Sequence, residues 1–250
     1  MRPVTKWPVG QTNPPAGTTV LAQYNPHGQA NPILQLNLDT FCSYCEAFGH
    51  DLQVEHIVSV HRDGTQRTLW GNFLLACGRC NGGDNKSSKL VDLTLLYFPH
   101  QNNTLLAFEY REGGLVGVHP GLANPDHIDK AKAMLDLVCI DKYPGNPKYP
   151  PTRYHPQGFP ANDRRWAHRR TAWEKAKIRL AQYEAGEITA ESVVNFAHER
   201  GFFSVWFSVF SAHQEVKGRL INAFYGTAAN CFDANFNPIP RNPTNTTDPI

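Results

Sequence analysis

Residues 41–90 read FCSYCEAFGHDLQVEHIVSVHRDGTQRTLWGNFLLACGRCNGGDNKSSKL, and two Cys-x-x-Cys pairs, Cys42 with Cys45 and Cys77 with Cys80, bracket thirty-one residues of it. Four thiolates arriving as two knuckles suit a closed tetrahedral zinc site. With every position on the metal taken, such a zinc does no chemistry. It is a structural clamp, standing in for a core too small to hold the module alone. Between the knuckles LQVEHIVSV has the composition of a hairpin strand, and FLLACGRCN reads as a strand end entering the second knuckle. On the first strand stands Glu55-His56, a carboxylate followed by an imidazole. Asn72 lies before the second knuckle, and Asn81 directly follows its last cysteine. The zinc draws these side chains into one small volume. Cys139 and Cys231 have no ligand spacing and read as buried hydrophobes.

The ordered set FCSYCE, VEHIV, WGNFLLAC and CGRCNGGDNKS resembles the HNH nucleases, whose ββα-metal motif carries a carboxylate-histidine pair on its first strand. In zinc-bearing members two Cys-x-x-Cys knuckles enclose that pair. The likeness covers about residues 41–90, a fifth of the chain. It implies that His56 is the general base toward the attacking water, and that Glu55 holds a catalytic divalent ion, Mg²⁺ or Mn²⁺. It implies that Asn72 fixes the histidine strand and that Asn81, opening the helix, is a further ligand of that ion. The chemistry agrees: a phosphodiester needs an in-line nucleophile, which a neutral imidazole activates, and charge relief on the departing oxygen, which one hard cation supplies. One departure bears on the third motif. Many relatives have a lysine three places after the CN asparagine, whereas CNGGDNKS puts Asp84 there and delays the lysine to Lys86. Asn81 is therefore preferred as ligand with Asp84 or Asn85 as alternatives, and Lys86 is a candidate phosphate contact. His61 reads as an exposed loop residue, and Glu46, which recurs in the CxYCE form of some relatives, receives no catalytic role.

Outward from this stretch, residues 1–35 are dense in Pro, Gly, Asn and Gln and read as an extended arm, leaving 36–120 as the nuclease module. NNTLLAFEYREGGLVGVHP within it is a β-hairpin turning at Gly113-Gly114. Residues 121–234 read as helical. Asn124-Pro125-Asp126 starts one helix, Asn162-Asp163 starts a second with Trp166, Trp173, Ala176, Leu180 and Tyr183 on one stripe, and Thr189 caps a third that ends near Gly201. The run from Phe202 to Phe210 is apolar almost all round, which suits a core helix ahead of a protein interface. The tail from Asn235 to Ile250 reads as loose. The fold class expected is α+β: a ββα-metal core with a four-cysteine zinc site, a hairpin extension and a helical C-terminal region.

With 41% hydrophobic and 18% charged residues and a net charge of +2, the 250-residue chain is an ordinary globular one, and disorder over most of its length is excluded. The opening MRPVTKWPVG lacks the apolar stretch of a secretion signal, and no run is long enough to span a bilayer. A cytoplasmic protein is expected, with zinc preferred over disulfides. Positive charge concentrates in residues 151–180, eight basic against two acidic. With the tryptophan stripe inward, Arg164, Arg165 and Arg169 are expected to face solvent and grip a phosphate backbone. The knuckle style joined to a helical region is also similar to bacterial HNH proteins of anti-phage systems, including the HNH subunit of Septu-type and retron-associated systems. That likeness implies a defence role and a regulatory ATPase partner. The leading reading is a DNA endonuclease. An RNA-cutting nuclease and a non-catalytic zinc-knuckle nucleic-acid-binding module stand as alternatives.

Overall fold

The computed structural model of the chain describes residues 1–13, 17–82, 91–245, 248 and 250. The first residues are not a free-standing arm. Little of the segment is regular, as its turn clusters require, yet Met1, Arg2 and Val4 are buried. Arg2 donates to the carbonyls of Leu38 and Phe224 at 2.6 and 2.7 Å, and Val4 N to Pro99 O at 2.7 Å. An extended chain is held this way when its amides and carbonyls find partners in other elements. Two short strands, β1 (Thr12–Asn13) and β2 (Thr18–Thr19), pair antiparallel, and α1 (Asn31–Leu38) begins inside the expected arm with Pro32 in its first turn.

The sequence between the knuckles folds as an antiparallel hairpin, β3 (Gln53–His56) with β4 (Phe73–Ala76), in the register Glu55 opposite Leu74 and His56 opposite Phe73. Every residue of β4 is buried, which matches its unbroken apolar run. Cys77 caps α2 (Gly78–Asn81), so strand, strand and helix follow in the expected order. Asp84, Asn85 and Lys86 lie outside the described residues.

A one-turn helix α3 (Thr104–Ala107) leads into the second hairpin, β5 (Phe108–Arg111) with β6 (Leu115–Val118). Gly114 is required at its turn: φ is +71°, and a Cβ there would sit 2.4 Å from the backbone nitrogen of Arg170. Five helices follow: α4 (Pro125–Val138), α5 (Arg165–Glu184), α6 (Ala190–Arg200), α7 (Phe203–Val209) and α8 (Gln214–Ala223). Asn124 and Thr189 cap α4 and α6 by accepting from Asp126 N and Ser192 N at 2.9 and 3.2 Å. The aromatic run is core: Phe203, Val205, Trp206 and Phe210 are fully enclosed.

Two contiguous apolar clusters result. One gathers the N-terminal segment, both hairpins and α4; the other gathers α6, α7 and α8 around Trp206. The expected loose tail is instead docked along its described residues, Ile239 for example accepting from Asn103 Nδ2 at 2.9 Å and Asn242 donating to Gln101 O at 3.0 Å. Arg241 donates to Val4 O at 3.0 Å, and the buried Ile250 accepts from Asn102 Nδ2 at 2.9 Å. Its Asn, Pro and Thr residues lack an apolar period, but side-chain amides and carbonyls fasten it. Among the described residues no helix is long and apolar enough to cross a membrane.

Candidate functional site

Each cysteine pair sits on a tight backbone turn. In the first, Cys42 N donates to Ala47 O at 3.0 Å and Glu46 N returns to Cys42 O at 2.9 Å; in the second, Cys80 N donates to Cys77 O at 3.0 Å. The four sulfurs lie within 4.8 Å of one another, with Cys45 and Cys77 Sγ 3.7 Å apart. A tetrahedron with Zn–S bonds of about 2.3 Å has edges of about 3.8 Å, so the donor set fits zinc. The protonation chemistry points the same way. Hydrogen bonds with Cys42, Cys45 and Cys80 drag the Cys77 thiol far down, while those with Cys42, Cys77 and Cys80 push Cys45 up. Four adjacent thiolates need a divalent cation to exist together.

One partner of this centre comes from far along the chain. Arg165, 6% exposed, donates from Nη1 to Cys80 Sγ at 3.3 Å and to Val138 O at 2.7 Å. Its other nitrogens meet Cys139 O at 3.1 Å and the Asp163 carboxylate at 2.8 and 2.6 Å. A fixed cation beside a sulfur offsets the surplus negative charge of a four-thiolate zinc. Burial alone would raise Asp163, but the hydrogen bonds and charge of Arg165 outweigh it and hold the carboxyl below its usual range.

Adjacent strand residues face opposite ways, and β3 uses both faces. On one, Glu55 is buried at 2% exposure and accepts from the Tyr44 hydroxyl at 3.3 Å. Gln53 shares that face and accepts from Asn81 Nδ2 at 3.0 Å. With its amide nitrogen so engaged, Asn81 Oδ1 is the atom suited to a hard cation. The described contacts bring Asn81 to Gln53 and Glu55 to Tyr44, and give no direct bond between Glu55 and Asn81.

On the other face His56 packs its edge against Phe73, and its Nε2 lies 2.9 Å from the carbonyl of Arg67. A carbonyl only accepts, so Nε2 carries the proton in the neutral ring and Nδ1 carries the lone pair. An imidazole held in this tautomer can take a proton. Asn72 holds the loop that supplies the carbonyl: its Oδ1 accepts from Val58 N at 2.6 Å, and its Nδ2 donates to Val58 O at 3.0 Å and Gln66 O at 3.2 Å. The loop is strapped from outside as well. Trp70 N donates to Ala22 O at 3.0 Å, Tyr24 N to Thr68 O at 2.8 Å, and Trp70 Nε1 to Trp7 O at 2.8 Å. The same strap brings His27 to His56, with ring centroids 4.8 Å apart. Sequence reasoning missed His27 because NPHGQANP has only the look of a turn cluster.

The expected arginine track is corrected. Arg164 is exposed, but Arg165 is spent on the zinc knuckle and Arg169, 1% exposed, donates to Gly114 O and Ile140 O at 2.7 Å each. The buried face of α5 is Arg165, Arg169, Ala172 and Ala176. Those two guanidiniums complete carbonyls of the hairpin turn and the end of α4, and neither faces solvent. His61 is exposed, and Cys139 and Cys231 are buried, as expected.

With this geometry in place, the comparison with known families is specific: the HNH endonuclease family model matches residues 42–87, which places an HNH endonuclease domain over both knuckles, β3, β4 and α2. No curated protein matches the chain.

Proposed function

We propose that the chain is a metal-dependent endonuclease that hydrolyses phosphodiester bonds in DNA. The observation that carries this is the tautomer imposed on His56 by the Arg67 carbonyl, held by the Asn72 clamp, inside a domain matched by the HNH endonuclease family. A binding module has no need of an imidazole held in one tautomer. In this reading His56 takes the proton of the attacking water. Glu55 and Asn81 would hold one Mg²⁺ or Mn²⁺, which when bound relieves charge on the departing oxygen. Tyr44, bonded to Glu55 and set between two zinc cysteines, orients the carboxylate. Asn72 positions the His56 loop. Arg164, exposed at the start of α5, and Lys86 are proposed backbone contacts. The resemblance to HNH subunits of anti-phage systems supports placing this nuclease in bacterial defence beside a regulatory ATPase. Co-purification of such an ATPase with the chain from its native host would test that placement, and a solitary, fully active monomer would oppose it.

The test of the activity is cleavage of plasmid DNA and total RNA with Mg²⁺ or Mn²⁺ by the wild type beside His56→Ala, with zinc content checked at one per chain. Cutting of DNA that falls by about 10²–10⁴ in His56→Ala is expected, the contribution of a general base. Cutting confined to RNA would replace the substrate, and equal cutting by both proteins would remove His56 from the chemistry.

A further inference from the structure

We infer that His27 is a second imidazole of the site, placed to hydrogen-bond a non-bridging oxygen of the phosphodiester whose attacking water is held by His56. This rests on the nuclease reading above and adds to it a substrate contact from outside residues 42–87. The two rings meet edge to face, with centroids 4.8 Å apart and planes at 65°. Both side chains are half-buried, so the pair opens toward solvent. A water within about 3 Å of the base and about 3–3.5 Å from phosphorus puts the phosphate within about 6.5 Å of the His56 nitrogen. A half-buried ring whose centroid lies 4.8 Å from that of His56 falls inside that shell.

His27 is held there firmly. It opens a short 3₁₀ turn, His27–Ala30, in which Gln29 N donates to Pro26 O at 3.0 Å and Ala30 is fully buried. The turn runs straight into α1, whose Asn31 donates to Leu52 O at 2.6 Å, the residue before β3. Upstream, Tyr24 is bonded to Thr68 in the loop that presents the Arg67 carbonyl. The segment is therefore tied both to the His56 strand and to the loop that orients His56. Among the described residues, the ring nitrogens of His27 have no hydrogen-bond partner. A ring wanted only for packing against His56 would be as well served by phenylalanine. Histidine adds a donor and an acceptor that no described residue takes up.

That contrast sets the test. His27→Phe keeps the ring edge and removes the nitrogens, and His27→Gln keeps a donor and removes the ring. Three quantities are read: thermal unfolding, Mn²⁺-dependent cleavage of DNA, and affinity of the zinc-loaded protein for an unmodified duplex with no Mg²⁺ or Mn²⁺ added. For His27→Phe we expect an unchanged unfolding temperature, cleavage at least tenfold slower and several-fold weaker duplex affinity, with His27→Gln recovering most of both. Wild-type cleavage and affinity in His27→Phe would overturn the inference, as would a His27→Gln protein no better than His27→Phe. Should the wild type cut neither DNA nor RNA, the nuclease reading fails by itself. The duplex affinity without added Mg²⁺ or Mn²⁺ then still decides whether His27 touches phosphate.

Discussion

Replacing Arg165 by methionine removes one guanidinium and, by the geometry, unsettles two parts of the protein at once. The side chain bridges Asp163, the carbonyls of Val138 and Cys139, and Cys80 Sγ, all at 2.6–3.3 Å and away from water. Methionine fills most of the volume, so little cavity forms. What remains is a carboxylate 5% exposed with its partner gone, and removing one member of a buried ion pair costs about 3–5 kcal/mol. That corresponds to two to nearly four decades in the folding equilibrium. Arg165→Lys keeps the charge but loses the planar fork and should lie between. The second effect falls on the metal. Without the donor to Cys80, zinc affinity should drop about 10–100-fold, the range seen when partners of metal ligands are removed. Chemical denaturation and competition with a zinc chelator, run in parallel on the wild type, Arg165→Met and Arg165→Lys, read both quantities. If Arg165→Met unfolds at the wild-type midpoint and gives up zinc no more readily, the reasoning that this arginine links helix α5 to the knuckle is wrong.

Three further outcomes follow from other contacts. Glu46 is buried, accepts from Ser204 N at 2.8 Å at the start of α7, and pairs with the Met1 amine at 3.1 Å; Glu46→Ala should cost about 3 kcal/mol in calorimetric or denaturant unfolding, and a loss below about 0.5 kcal/mol would contradict the pairing. Asn72→Ala removes three hydrogen bonds of the His56 loop and should cost about 1–3 kcal/mol, with cleavage falling further than stability; equal losses would reduce Asn72 to a structural role. Lys6 donates to the Trp70 carbonyl beside that loop, and burial lowers it to about 7. The unfolded chain therefore binds more protons between pH 7 and about 10, so this lysine makes stability rise with pH across that window. Lys6→Met should flatten the rise, and a slope identical to that of the wild type would refute the shift.

Local signals made the zinc knuckles and the β3–β4 hairpin legible, because ligand spacing and strand composition reside in one short stretch. Helix caps at Asn124 and Thr189 were legible for the same reason. The buried face of α5 was not. Arg165 and Arg169 share it with Ala172 and Ala176, rotated one step from the tryptophan stripe. A polarity count sends arginine outward. Only the carbonyls of Gly114, Val138, Cys139 and Ile140, gathered from two other elements, make the inward placement favourable. His27 and the docked N-terminal segment escaped notice likewise, since the backbone bonds joining Val4 to Pro99, Ala22 to Trp70 and Tyr24 to Thr68 span 95, 48 and 44 positions and leave no periodic mark. The termini looked loose for want of hydrophobic period, and polar fastening made up for it.

The bond from Arg165 to Cys80 spans 85 positions, and the one from Ser204 to Glu46 spans 158. During translation the two knuckles emerge well before either partner. At about 5–20 residues per second, the ribosome needs about 4–17 s to go from Cys80 to Arg165, and longer to reach Ser204. For that interval the cysteine module lacks the guanidinium at its sulfur and the serine on its first knuckle. The nascent chain thus completes its metal-bearing part only after the later helices have been made, and a fragment released early lacks both fastenings.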